Sequence, residues 1–60
     1  MTQEQKATMR DALESARRFV DAAALIAKKC GDPDIVRRCG AIEDDIVDAK
    51  ASLDARPVTS

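Results

Sequence analysis

The chain has no histidine, tryptophan or tyrosine, and Phe19 is the one aromatic among its 60 residues. Each absence removes a class of function. Without histidine the commonest general acid–base group is missing, and two cysteines with carboxylates do not complete the four nitrogen or sulfur ligands of a structural zinc site. A single aromatic ring is not the stacking platform on which single-stranded nucleic-acid binders depend. The two glycines, Gly31 and Gly40, make no glycine-rich phosphate loop. A chain this short does not enclose a substrate pocket of roughly 300–1,000 Å³. No enzyme, cofactor, metal or small-molecule ligand is expected.

An excess of charge of one sign is also missing. Ten basic and eleven acidic residues leave a formal net charge of −1, so no molecule-wide field steers the chain toward nucleic acid or an anionic membrane. No apolar run approaches the roughly 18 residues that span a bilayer. The opening MTQEQKATMRDALE carries acids where a secretory signal carries its apolar core. The expected location is cytoplasmic, and the alanine, arginine and aspartate bias points to a GC-rich bacterial or phage gene.

What is present is helix-forming sequence. No glycine or proline occurs between Thr2 and Cys30, and alanine, glutamate, glutamine, lysine and arginine dominate there. Thr2 followed by Gln5 fits a capping box. Lys28 and Lys29 suit the negative end of a helix dipole, and Gly31 can take the left-handed conformation that ends a helix. Asp32 then serves as the next N-cap, Pro33 fits the first helical position, and Asp34 adds negative charge to that turn. The expected layout is one domain over 1–60: helix one about 3–30, a turn at 31–32, helix two about 33–55, and a frayed tail at 56–60.

Spacings of three and four pick out Met9, Ala12, Ala16, Phe19, Ala23, Ile26 and Cys30 in helix one. In helix two they pick out Ile35, Cys39, Ile42, Ile46, Ala49 and Leu53. Folding the chain between Asp32 and Pro33 brings Phe19 opposite Ile46 and Ala12 opposite Leu53, with every other pair in step. An all-α antiparallel helical hairpin follows. On this register Cys30 and Cys39 are offset by about 6 Å along helices about 8–10 Å apart. That separation is too wide for a disulfide, whose Cα atoms lie within about 7 Å. Both cysteines are expected as reduced thiols in the seam. Gly40, inside helix two, has no evident reason.

Beside this seam runs a second apolar stripe, Leu13, Val20 and Ala27 with Val36, widened by Ala24 and Val47. A lone hairpin has no layer to cover it, so Leu13, Val20, Ala24, Ala27, Val36 and Val47 are read as a self-association or partner face that would build a homodimeric four-helix bundle. Arg18, Ala22, Leu25 and Lys29 form a second candidate patch, an apolar spot with a basic rim. Lys28, Lys29, Arg37 and Arg38 make a small basic patch near the turn. Glu43, Asp44, Asp45 and Asp48 make an acidic one, a possible docking surface for a basic partner. Arg10, Glu14, Arg17, Arg18 and Asp21 stand at spacings where they can pair within helix one.

In length, hairpin architecture and alternation of small and large seam residues, the chain resembles the Rop type of plasmid RNA-binding protein. That resemblance implies a four-helix bundle whose helix-one face carries a protruding aromatic and uncompensated basic groups. With Phe19 expected in the seam and the arginines opposite acids, RNA binding is the alternative. The reading preferred from the residues is a small non-catalytic interaction module: an adaptor, an inhibitor or regulator, or a subunit of a larger assembly. Its expected partner is a second copy or another protein, with no role for membrane or nucleic acid.

Overall fold

A computed structural model describes residues 1–58 and places them in two helices, α1 (Gln3–Cys30) and α2 (Pro33–Asp54), packed against each other as an antiparallel hairpin. The Cα envelope measures 48 × 15 × 8 Å, a flat two-helix slab with two broad faces. Residues 55–58 carry no helix, and positions 59–60 of the expected tail lie outside the described residues.

The helix ends form for local reasons. The Thr2 hydroxyl accepts from the Gln5 amide at 3.1 Å, and the Thr2 amide donates to Gln5 Oε1 at 3.0 Å, a complete capping box. At the other end Gly31 sits at φ 73°, the Gly31 amide donates to the Lys28 carbonyl, and the Asp32 amide donates to that of Ala27. This pair of bonds is the Schellman arrangement, and it satisfies two carbonyls that the helix end would leave open. Asp32 closes α1 with its backbone and opens α2 with its side chain, which accepts from the Ile35 amide at 3.1 Å, while Pro33 begins the helix. A connection of two residues leaves the helices no choice but to lie side by side.

The two glycines should respond in opposite ways to alanine. A Cβ on either one meets nothing within 4 Å, so space is not the issue. At Gly31 the positive φ penalises an L side chain by roughly 1–2 kcal/mol, and Gly31→Ala should lower stability by about that much. At Gly40 the backbone is ordinary helix, so Gly40→Ala should gain about 1 kcal/mol. Urea melts of the two variants against the parent check the signs.

α2 ends without a basic residue in its last turn. α1 supplies the charge instead. Lys6 Nζ donates to the carbonyls of Asp54 and Arg56, each at 3.1 Å, and Arg10 pairs with Asp54 at 2.8 Å. The cations meet the negative end of the α2 dipole, where they are favourable. One turn further along, Lys50 reaches Glu14 at 3.2 Å.

These links set the register. Folding between Asp32 and Pro33 would put Arg10 opposite Ala55 and Glu14 opposite Ala51. The ion pairs join Arg10 to Asp54 and Glu14 to Lys50, each within one residue of that alignment. The axial alignment expected from the sequence is therefore nearly that of the structure. The rotation of the helices is not.

Between the helices lie Leu13, Ala16, Val20, Ala24 and Ala27 from α1, half-buried or buried, with Val36, Cys39, Glu43, Ile46, Lys50 and Leu53 from α2. The α2 set is an unbroken heptad seam, although two of its members are charged. Cys39, Ile46 and Leu53 were expected there and are buried. In α1 Ala16 keeps its expected place while Leu13, Val20, Ala24 and Ala27 replace Ala12, Phe19, Ala23 and Ile26, and in α2 Val36, Glu43 and Lys50 replace Ile35, Ile42 and Ala49, so each helix is turned by roughly 50–70° from the expected facing. Small residues at 16, 24 and 27 face α2, while the larger Phe19 and Ile26 turn away. Two causes favour this rotation: alanines allow the backbones to approach closely, and the bonds from Lys6, Arg10 and Lys50 form only along this edge.

Candidate functional site

The rotation leaves an apolar face uncovered. From α1 it carries Met9, Ala12, Phe19, Ala23, Ile26 and Cys30, all exposed. Phe19 is 76% accessible and Ile26 63%, values unusual for an aromatic and a β-branched side chain in water. From α2 it carries Ile35, Ile42 and Ala49, also exposed. Phe19 and Ile26 each precede a residue of the α1 seam, Val20 and Ala27. Ile35, Ile42 and Ala49 each precede one of the α2 seam, Val36, Glu43 and Lys50. Two antiparallel helices are related by a two-fold axis normal to the slab, so equal angular offsets fall on the same broad face. The two rows therefore make one surface.

The residues read from the sequence as a partner face sit elsewhere. Leu13, Val20, Ala24, Ala27 and Val36 form the contact between α1 and α2, Ala27 being only 7% accessible. Val47 stays exposed, on the opposite broad face from Phe19. Part of the seam and the flank have thus exchanged places, with Phe19, Ile26, Ile35 and Ile42 outside and Leu13, Val20, Ala27 and Val36 inside, while Ala16, Cys39, Ile46 and Leu53 keep their expected seam places. The thiols divide in the same way: Cys39 is buried in the hairpin, Cys30 is exposed, and both are free.

The charged patches also separate. Arg37 and Arg38 both bind Asp34, at 2.7 and 2.9 Å. Lys28 and Lys29, being adjacent on α1, point about 100° apart, and neither makes an ion pair among the described residues. Lys28 and Arg37 border a shallow apolar groove at the turn with Gly31, Pro33 and Val36, so the four cations make no single patch. Glu43 turns into the contact between the helices while Asp44, Asp45 and Asp48 stay exposed. Among the described residues no three acidic or cysteine side chains converge to hold a metal ion. The pairs expected within α1 are replaced by bonds to α2: Arg10 and Glu14 reach across, and Arg17 and Arg18 have no ion pair among the described residues.

Arg18, Ala22, Leu25 and Lys29 are all exposed on the outer side of α1. Ala22 lies one turn from both Phe19 and Ile26, so this patch continues the apolar face past its edge. No described helix is long and apolar enough to cross a membrane.

No protein-family model matches the chain, and neither the curated proteins nor the solved structures gave a match. Function is therefore read from the surface of this chain.

Proposed function

We propose that the chain is a small non-catalytic interaction module whose working surface is the apolar face centred on Phe19, and that it assembles as a homodimeric four-helix bundle by pairing this face with a second copy. The observation that carries this reading is the exposure of Phe19, Ile26 and Ile42 in one row-and-row surface while, among the described residues, the hairpin buries only Ala27, Cys39, Ile46 and Leu53. A core that small rarely supplies more than about 3–5 kcal/mol. A second layer over the larger side chains would complete a structure that the single hairpin leaves half built.

Size supports the same conclusion. The broad face measures 48 × 15 Å between Cα atoms, before side chains are added, which is room enough for the roughly 800 Å² of accessible surface that each partner gives to a standard protein–protein interface. In solution the dimer predicts sedimentation at twice the chain mass and a melting temperature that rises with concentration. A chain that stays monomeric and melts at one temperature from micromolar to millimolar would overturn the reading.

Rop-like RNA binding is a second reading, favoured by one observation: Phe19 protrudes, as that resemblance implies. The surroundings of Phe19 favour protein contact. The positions one turn to either side are Ser15, Ala16, Ala22 and Ala23, and none is basic. Salt separates the two. RNA bound through several phosphates would be released steeply between low and moderate salt, whereas apolar pairing would hold.

A further inference from the structure

We infer that the broad face opposite Phe19 is a second, weaker self-docking surface, on which Val47 of one copy fills the apolar groove at the turn of another while acids of each copy meet the cations that rim that groove. This contact does not rest on the pairing of the Phe19 faces, which lies on the other side of the slab. The groove is walled by Gly31, Pro33 and Val36 and rimmed by Lys28 and Arg37. Pro33, Gly40 and Val47 follow at intervals of seven and so share one line along α2. Val47 is 47% accessible. It lies seven residues after Gly40 and Pro33 seven before, so a copy turned end over end about an axis beside Gly40 sets each Val47 over the other's groove. The ion pairs of Arg10 with Asp54 and Glu14 with Lys50 put Ala24 level with Gly40, and the same axis crosses α1 there. A Cβ on Gly40 would meet nothing within 4 Å, so with Ala24 it leaves a low waist where two copies can approach closely.

Charge selects this orientation. About the axis Arg37, three residues before Gly40, comes level with the second copy's Asp44, four after it, to within one residue or about 1.5 Å. Asp21 and Lys28 stand in the same relation to Ala24, so Lys28 meets the second copy's Asp21. Asp21, Lys28 and Asp44 have no ion pair among the described residues, and Arg37 shares Asp34 with Arg38. Both rims of the groove thus find an acid. With the two turns at the same end the match is lost: Lys28 would lie over the second copy's Arg37 and Asp21 over its Asp44. Asp48 does come level with the second copy's Asp32, but it turns about 100° from Val47 toward the edge of the slab, and Asp32 is held by the Ile35 amide.

Exposed charge pairs and one side chain in a shallow groove make a weak contact. It forms at millimolar concentration and leaves the Phe19 pairing alone at micromolar. Alternating the two faces builds an open stack. The test follows the mass of the parent chain by sedimentation at millimolar concentration, in low salt and in about 1 M sodium chloride, where the screening length falls to about 3 Å. Species larger than two chains are expected in low salt only, because the apolar Phe19 pairing outlasts the salt. Asp44→Arg should remove these species without loss of helicity, since Asp44 is exposed and bound to nothing in the hairpin, and adding Arg37→Asp should bring them back. Growth that ignores both salt and Asp44→Arg, a double variant that stays at two chains, or no growth beyond two chains at millimolar concentration would overturn the inference. A parent that is monomeric at micromolar concentration sinks the Phe19 pairing alone; the back-face contact then predicts a millimolar dimer that salt and Asp44→Arg dissolve, and its absence would sink this inference as well.

Discussion

Phe19→Glu is expected to abolish assembly while sparing the contact between α1 and α2. Phe19 makes no part of that contact and is 76% accessible in the hairpin, so a glutamate there meets only water in the single chain. In the proposed dimer each copy would place a carboxylate at the centre of an apolar interface, where losing its water is costly. Central aromatic anchors commonly account for 2 kcal/mol or more of a protein–protein interface, which corresponds to a loss of about 30-fold or more in dimerisation constant. Sedimentation should show the monomer, and the melting temperature should lose its dependence on concentration. Helicity should also fall in dilute solution, because the hairpin then stands on its own small core. If the variant remains dimeric at the parent's affinity, the working face has been misplaced.

Ile46→Ala should do the reverse and attack the hairpin itself. Ile46 is one of two large aliphatic side chains that the hairpin buries, the other being Leu53, which is 4% accessible. Removing most of a buried isoleucine costs about 2–5 kcal/mol through lost burial and the cavity left behind. Set against the few kcal/mol available to a domain of this size, the variant should be largely unfolded at room temperature by circular dichroism. Ile42→Ala, on the same helix but 47% accessible, should leave the fold of the single hairpin nearly unchanged and weaken only the assembly. Equal loss of helicity from the two substitutions at low concentration would contradict the packing described. Val20→Glu belongs with Ile46→Ala, since Val20 packs between the helices.

Much of this architecture is legible in the sequence. Thr2 with Gln5, and the run Gly31, Asp32, Pro33, Asp34, mark the helix ends through side-chain chemistry that acts within a few residues, and such signals need no knowledge of the fold. The register follows almost as directly, because a two-residue turn leaves little room for slip. The rotation is another matter. α1 carries two adjacent apolar stripes, Phe19 with Ile26 and Val20 with Ala27, and each would seal a helix pair. Periodicity ranks them by bulk and so assigns the larger stripe to the hairpin. What decides between them is a polar pattern: Arg10 opposite Asp54 and Glu14 opposite Lys50 line the edge that the smaller stripe shares. Pairing these charges only within α1, at spacings of four, hides that information. A search for opposite charges across the turn, at the register already found, would have placed Val20 inside and Phe19 outside.

The two-residue connection has a kinetic consequence. Contacts next to the turn join residues few positions apart in the chain, and each layer farther out closes a loop only about one turn longer on each side, so the entropic cost of every new contact is small once its neighbour has formed. Closure should run like a zip from Gly31 outward, with the grip of Lys6 on the carbonyls of Asp54 and Arg56 as its last tooth. Such local topology favours submillisecond folding. If two copies pair as proposed, their bimolecular docking would then be the slow event.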